Sequence, residues 1–186
     1  MTTPSDQLLN DLIDLTLKNM EEVEKFKPLS IETLNWRATP DSWSILECLE
    51  HLCLYGDFYI PEISNRIANT KQGENPVFKS GLLGNYFAKM MLPREKLNKM
   101  KTFKAMNPIG SNLNKSTLTR FITQQEQLIA LLEQARKVDL NKTKTAISIS
   151  KLIKLKLGDT FRVVIYHNKR HVIQANKIVR EQVISH

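Results

Sequence analysis

Tyr166-His167-Asn168-Lys169-Arg170-His171-Val172-Ile173-Gln174 is the stretch from which the rest of the chain can be read. Two of the four histidines stand in it at an i, i+4 spacing. On a helix that spacing puts both imidazoles on one face, one turn or about 5.4 Å apart, and Gln174 lies roughly one turn further on. Such a pair can supply two ligands to one metal ion but cannot hold the ion alone. The obvious third donor is His51, in Leu49-Glu50-His51-Leu52. The fourth histidine, His186, is the final residue and is expected to fray and take no part.

Outward from this stretch, apolar spacing predicts four long helices. The last runs from Thr160 to about Val183, with Val163, Val164, His167, His171, Gln174, Ala175 and Ile178 facing inward and Gly158-Asp159 capping its start. The first spans Ser5 to Glu24, with Ser5 or Asp6 as cap and Leu8, Leu9, Leu12, Ile13, Leu15 and Met20 as its stripe. The second opens at Asp41-Ser42-Trp43-Ser44, where Glu47 stands at the capping-box distance from Ser44. Ile45, Leu46, Leu49, Leu52 and Tyr55 keep the helical period, Pro61 should kink the helix near Asp57, and the pattern ends at Thr70–Gly73. The third runs from Ser116 or Thr117 to Lys137, with Leu118, Phe121, Ile122, Leu128, Ile129, Leu131 and Leu132 on one side and Gln and Glu opposite.

Between these lie weaker signals. Ser30 with Thr33 suggests one short helical turn, and Leu82–Leu92 a short helix stopped by Pro93. Residues 138–157 alternate loosely and read as extended or as a short helical turn. The connection from Gly73 to Ser116 is long for a compact domain, and covering the mouth of a site would be one reason for it. The expected fold is all-α: a four-helix bundle with a long crossover between helices two and three, forming one domain over residues 1–186.

Composition agrees with that reading. The chain is 41% hydrophobic and 25% charged, ordinary globular usage. No apolar run approaches the roughly 20 residues of a membrane span, and the N-terminus has no signal-peptide pattern, so a cytoplasmic protein without a membrane partner is expected. Cys48 and Cys53 are five apart, about 500° around a helix, so they read as separate reduced thiols. Residues 1–35 carry seven acids and three bases, whereas residues 136–186 carry twelve bases and three acids. That basic third could attract nucleic acid or an acidic partner. Without an aromatic-interleaved or groove-reading motif, lysines that solvate outer helix faces are the expected explanation. The sequence contains no GxGxxG, P-loop, GxSxG or HExxH pattern.

Trp43-Ser44-Ile45-Leu46-Glu47-Cys48-Leu49-Glu50-His51-Leu52, together with His167-x-x-x-His171-x-x-Gln174, resembles the DinB-like (YfiT-like) family of four-helix bundles. Pro93 and the Lys101-Thr102-Phe103-Lys104…Pro108 stretch also look like that family, and the resemblance covers nearly the whole chain. It implies a divalent metal, nickel, zinc or iron, bound by His51, His167 and His171. Some relatives are metal-dependent transferases that use low-molecular-weight thiols, and others are treated as hydrolases. One departure is Asn168, where many relatives carry an acid directly after the first histidine of the pair. An acid there could orient a ligand or act as base, so Asn168 puts inherited acid/base catalysis in doubt.

Three neutral imidazoles leave a divalent ion with open coordination positions, an arrangement met in catalytic more than in structural sites. The all-nitrogen donor set suits zinc, nickel, iron or copper. Gln174 could orient a ligand or touch substrate. Tyr55, one turn after His51, could offer a hydroxyl, and Glu47, one turn before it, a carboxylate behind the site. Trp43 is expected to pack the end of the bundle. The leading expectation is a metal-dependent thiol transferase or hydrolase acting on a small molecule, with a homodimer as a candidate further partner and nucleic acid not expected as one. The alternative is a non-catalytic interaction protein with a basic C-terminal surface.

Overall fold

The computed structural model describes residues 1–93 and 102–184. Four long helices form the bundle: α1 (Ser5–Glu24), α3 (Ile45–Asn69), α5 (Ser116–Ala135) and α6 (Leu157–Ile184). Two short helices, α2 (Ile31–Asn35) and α4 (Leu82–Met91), and a 3-10 turn at Lys104–Met106 lie in the connections. Two antiparallel ribbons complete the fold, β1 (Thr2–Pro4) with β2 (Val77–Lys79) and β3 (Lys144–Ile147) with β4 (Ser150–Lys156). Both α1 and α3 pack against α5 and α6, so α1 stands diagonally across from α3. The all-α bundle and its long crossover between α3 and α5 are therefore present.

The helix starts show how local chemistry selects these elements. Ser44 caps α3: its hydroxyl accepts from the Glu47 amide, and the Glu47 carboxylate accepts from the Ser44 amide at 2.9 Å. Both orphan donors of the first turn are thereby satisfied. The helix continues through Pro61 to Asn69. Ser30 accepts from the Thr33 amide and starts α2, as its spacing predicts. By contrast, neither Ser5 nor Asp6 caps α1. The Ser5 amide and hydroxyl instead bond to the carbonyls of Pro76 and Asn75, tying α1 to the strand that pairs with β1.

The start of α6 also departs from the sequence reading. The helix begins at Leu157, three residues early, because backbone carbonyls serve its first amides: Leu157 donates to Thr143 and Gly158 to Leu140. No side-chain cap is then needed there, and Asp159 is freed for α4. Its carboxylate accepts from the Gly81 amide at 2.8 Å, accepts from the Ser80 hydroxyl and pairs with Arg162 at 3.0 Å. Residues 138–157, ambiguous in sequence, contain the β3–β4 hairpin, with a register shift between Ala146 and Ile147.

Two apolar clusters fill the bundle. One joins Leu8, Leu9, Leu12, Tyr59, Leu128 and Phe161; the other joins Val23, Ile45, Leu49, Phe121, Val172 and Ala175. Between them, each long helix contributes polar residues at one level. These are Thr16 and Asn19 from α1, His51 from α3, Gln124 and Gln125 from α5, and His167, Asn168 and His171 from α6. Gln124 and Gln125, expected on a wet face, are buried in this layer. Gln124 donates to the Cys53 carbonyl and the Asp57 carboxylate across the face of Gly56. Cys48 and Cys53 are both buried free thiols, and burial raises the pKa of each.

Gly84 is where α4 meets α6. A Cβ on it would stand 2.4 Å from the Asp159 side chain, which its ion pair prevents from yielding. Gly84→Ala should lower stability by about 1–3 kcal/mol through overpacking, outweighing the roughly 1 kcal/mol that alanine gains in helix propensity. Gly73→Ala, in open space, should change little. Urea unfolding midpoints of the two variants decide it, and a Gly84→Ala protein as stable as wild type would contradict the packing described.

Candidate metal centre

His51 lies on the buried face of α3, 3% exposed. His167 and His171 project from α6 and are half-buried. Their Nε2 atoms converge: His167 Nε2 lies 3.2 Å from that of His51 and 3.1 Å from that of His171. One ligand atom from each ring lies within 4.8 Å of the others, so the group could hold a metal ion. An ion about 2.0–2.1 Å from tetrahedrally disposed nitrogens needs them about 3.3–3.4 Å apart, close to the two short edges here. His186 lies outside the described residues.

The second nitrogen of two rings determines what the first can do. His51 Nδ1 is 2.5 Å from the Met106 carbonyl, and His171 Nδ1 is 3.0 Å from Gln174 Oε1. Both oxygens only accept, so each Nδ1 carries the proton and each Nε2 presents a lone pair. His167 Nε2 faces both lone pairs and can donate a single proton to only one of them. A cation at the meeting point satisfies all three nitrogens at once, so the residues present fit the metal that the donor set implies.

Electrostatics keep the rings neutral. Burial, opposed by the Met106 carbonyl, pushes the His51 pKa down to about 4. Burial and then repulsion from His51 push His171 down to about 3, against the Gln174 oxygen. His167 is held well below its usual range by burial first, then by His171, His51 and Arg170. Neutral imidazoles at physiological pH are the form that ligates metal.

Aromatic rings wall the cluster. Trp43 does more than pack the bundle end: its ring lies 4.7 Å from His51 and 5.6 Å from His171, and its indole N–H donates to Asn107. Tyr55, half-buried, stands edge-on to His51 at 5.0 Å and His167 at 4.8 Å.

Glu47 and Asn168 are placed otherwise than expected. The Glu47 carboxylate, 1% exposed, is taken up by Arg37, the Ser44 amide and the Gly110 amide at 2.7 Å. It reaches no imidazole; it anchors the loop that carries the Met106 carbonyl. Asn168 is buried and donates to Gln125 Oε1 at 2.8 Å. One residue is about 100° of helical rotation, so position 168 faces α5 while the imidazoles face α3. The missing acid therefore leaves the three rings as they are. Met106, whose contribution is a backbone carbonyl 55 residues from His51, had no side-chain signal to reveal it.

The geometry defines a class: a helical bundle with a three-imidazole cluster between facing helices at mid-height. The chain belongs to the DinB superfamily, whose sequence model matches residues 12–175. Among solved structures it is similar to YfiT from Bacillus subtilis, described as a probable metal-dependent hydrolase with an unusual four-helix bundle topology. That likeness has a TM-score of 0.58 at 10% identity, covering 94% of this chain and 87% of that one. At such identity it is a likeness of fold. No curated protein sequence matches the chain significantly.

The depressed histidine pKa values make metal-free protein acid-sensitive. In the unfolded chain these imidazoles titrate near pH 6.5, whereas in the fold His51 and His171 stay neutral down to about 4 and about 3. Over that window the unfolded state binds more protons, so stability falls as pH falls, by about 1.4 kcal/mol per pH unit per imidazole. Thermal melts of metal-free protein should drop steadily from pH 6.5 to pH 4. A melting temperature unchanged across that range would refute the neutral cluster.

Proposed function

We propose that His51, His167 and His171 hold one divalent ion and that the protein is a metal-dependent enzyme acting on a small molecule, by hydrolysis or by transfer to a low-molecular-weight thiol. The observation that carries this reading is the convergence of three Nε2 atoms, two of them held as lone-pair donors by acceptor oxygens behind their rings. When bound, the ion supplies Lewis acidity, which polarises a substrate oxygen and acidifies a water or thiol. Zinc, nickel and iron all suit the donor set.

The protein's own share is orientation and shielding. The Met106 carbonyl and Gln174 set the tautomers of His51 and His171, and such partners also raise ligand basicity. Trp43 and Tyr55 limit water around the cluster and leave a flat aromatic wall for substrate. No carboxylate among the described residues contacts the three rings, so a proton must leave on the substrate or on bulk water. A group that brings its own acidic proton, a thiol or water, meets that condition.

Metal analysis of protein purified without an oligohistidine tag is the direct test, followed by hydrolase and thiol-conjugation screens before and after chelation. About one ion per chain is expected, and activity that survives complete chelation would rule the mechanism out. His171→Ala should lose the ion on dialysis while keeping its helical circular dichroism, because the Leu, Ile and Val clusters carry the fold. Asn168→Ala should do the reverse. It should retain the ion but cost about 1–3 kcal/mol by stripping Gln125 of its buried partner. Gln174→Ala should weaken metal affinity by about ten- to hundredfold in competition with a chromophoric chelator. Equal affinity in wild type and Gln174→Ala would show that this amide does not support the site.

A further inference from the structure

A second surface combines exposed apolar side chains with an excess of positive charge. Helix α4 turns Gly84 and Ala88 inward, while Leu82 is 96%, Tyr86 60% and Leu83 45% exposed. Strand β4 adds Leu152, 94% exposed. Lys154 and Lys156 alternate with the buried Leu155 and share one face of β4, while Leu152 and the exposed Ile153 stand in the irregular stretch of β4 at the register shift. Lys156 shows where that face leads. Its Nζ donates to the Lys79 carbonyl at 2.6 Å, and its chain passes 3.8 Å from where a Cβ of Gly81 would stand. β4 therefore runs from the exposed Leu152 through two lysines to the first turn of α4, where Leu82 begins the exposed apolar side.

Positive charge prevails here, although the Glu62 carboxylate of α3, which accepts from the Ala146 amide, lies beside Lys154 and Glu74 precedes β2. Residues 140–158 contain five lysines and residues 75–93 contain two, and neither segment has an aspartate or glutamate. The adjoining Asp159 is buried and paired with Arg162, so it offsets nothing at the surface. A second copy of the chain would set these lysines against one another. A nucleic acid would engage the lysines but gain nothing from two nearly fully exposed leucines. An anionic bilayer uses both, with lysines meeting lipid phosphates and leucines entering the boundary between headgroups and acyl chains. Among the described residues no helix is long and apolar enough to cross a membrane, so the contact is peripheral.

We propose that this face docks the protein on an anionic lipid bilayer, with Leu82 and Leu152 inserted at headgroup level and Lys79 and Lys154 against lipid phosphates. The sequence-based expectation of no membrane partner rested on the lack of a spanning segment, which a peripheral contact does not need. The near-complete exposure of Leu82 and Leu152 is what suggests such a contact.

Co-sedimentation with vesicles tests it. The full chain should pellet with vesicles of phosphatidylcholine mixed with phosphatidylglycerol and stay in solution with phosphatidylcholine alone. Lys154→Gln should lower the partition coefficient about fivefold, and added salt should lower it further. The double variant Leu82→Ser/Leu152→Ser should lower it at least about tenfold; both positions are too exposed for the change to disturb the core. Failure to pellet with the mixed vesicles overturns the proposal, as does equal binding to both vesicle types. Undiminished binding by the double variant, with a DNA duplex displacing the vesicles, would reveal a general polyanion surface instead. A dimer in sedimentation velocity that the double variant dissolves, without vesicle binding, would assign the face to self-association.

Discussion

The orientation of the imidazoles depends on two oxygens that can only accept. The Met106 carbonyl and Gln174 Oε1 hold the Nδ1 protons of His51 and His171, and this turns both Nε2 lone pairs toward His167. An imidazole free to flip or exchange tautomers would present a proton to the same point half the time. Gln174 acts from within the same helix, three residues away. Met106 acts from the long crossover, and that segment keeps its place partly because the Gly110 amide donates to Glu47. Glu47 thus serves the cluster at a distance: one carboxylate closes the capping box of α3, receives Arg37 and ties down the loop behind His51.

The level at which the cluster sits follows from how the core is divided. Apolar clusters above and below leave a polar layer to which all four long helices contribute. Burying polar groups is tolerable when each finds a partner, and the layer largely achieves this through Asn168 with Gln125, Gln124 with Cys53 and Asp57, and Thr16 with the Leu12 carbonyl. The Asn19 amide nitrogen lacks a partner there. The same desolvation lowers the histidine pKa values and keeps the rings as neutral donors. Apolar packing and the chemistry of the cluster are therefore coupled, since a wetter layer would leave the imidazoles nearer their ordinary pKa.

The elements outside the bundle divide the surface. The crossover brings its 3-10 turn to His51, whereas its earlier part, β2 and α4, lies against α6 near the β3–β4 hairpin. The Asp159–Arg162 pair holds that second junction, with Ser80 and Asn85 completing it. A single connection thus supports the imidazole cluster at one end and presents α4 to solvent at the other.

Much of this was legible from residues alone. The 3.6-residue period marked four long helices, and the Ser44–Glu47 box marked the start of α3, because both are local regularities that survive folding. The i, i+4 histidines and their separation from His51 likewise carried the DinB-like resemblance. Legibility ended where a residue's role depended on what another segment brought to it. Glu47 stood one helical turn from His51, yet its carboxylate was claimed by Arg37 and Gly110. Gln124 and Gln125 looked like a wet face until a diagonal helix and a glycine buried them. Asp159 looked like the cap of α6 and became the anchor of α4, because backbone carbonyls had already served the first amides of α6. Met106 acts through its carbonyl, a group every residue possesses, so no side chain could announce it. Periodicity and capping are written in neighbouring residues, while the partner of a buried polar atom is chosen only when distant helices close around it.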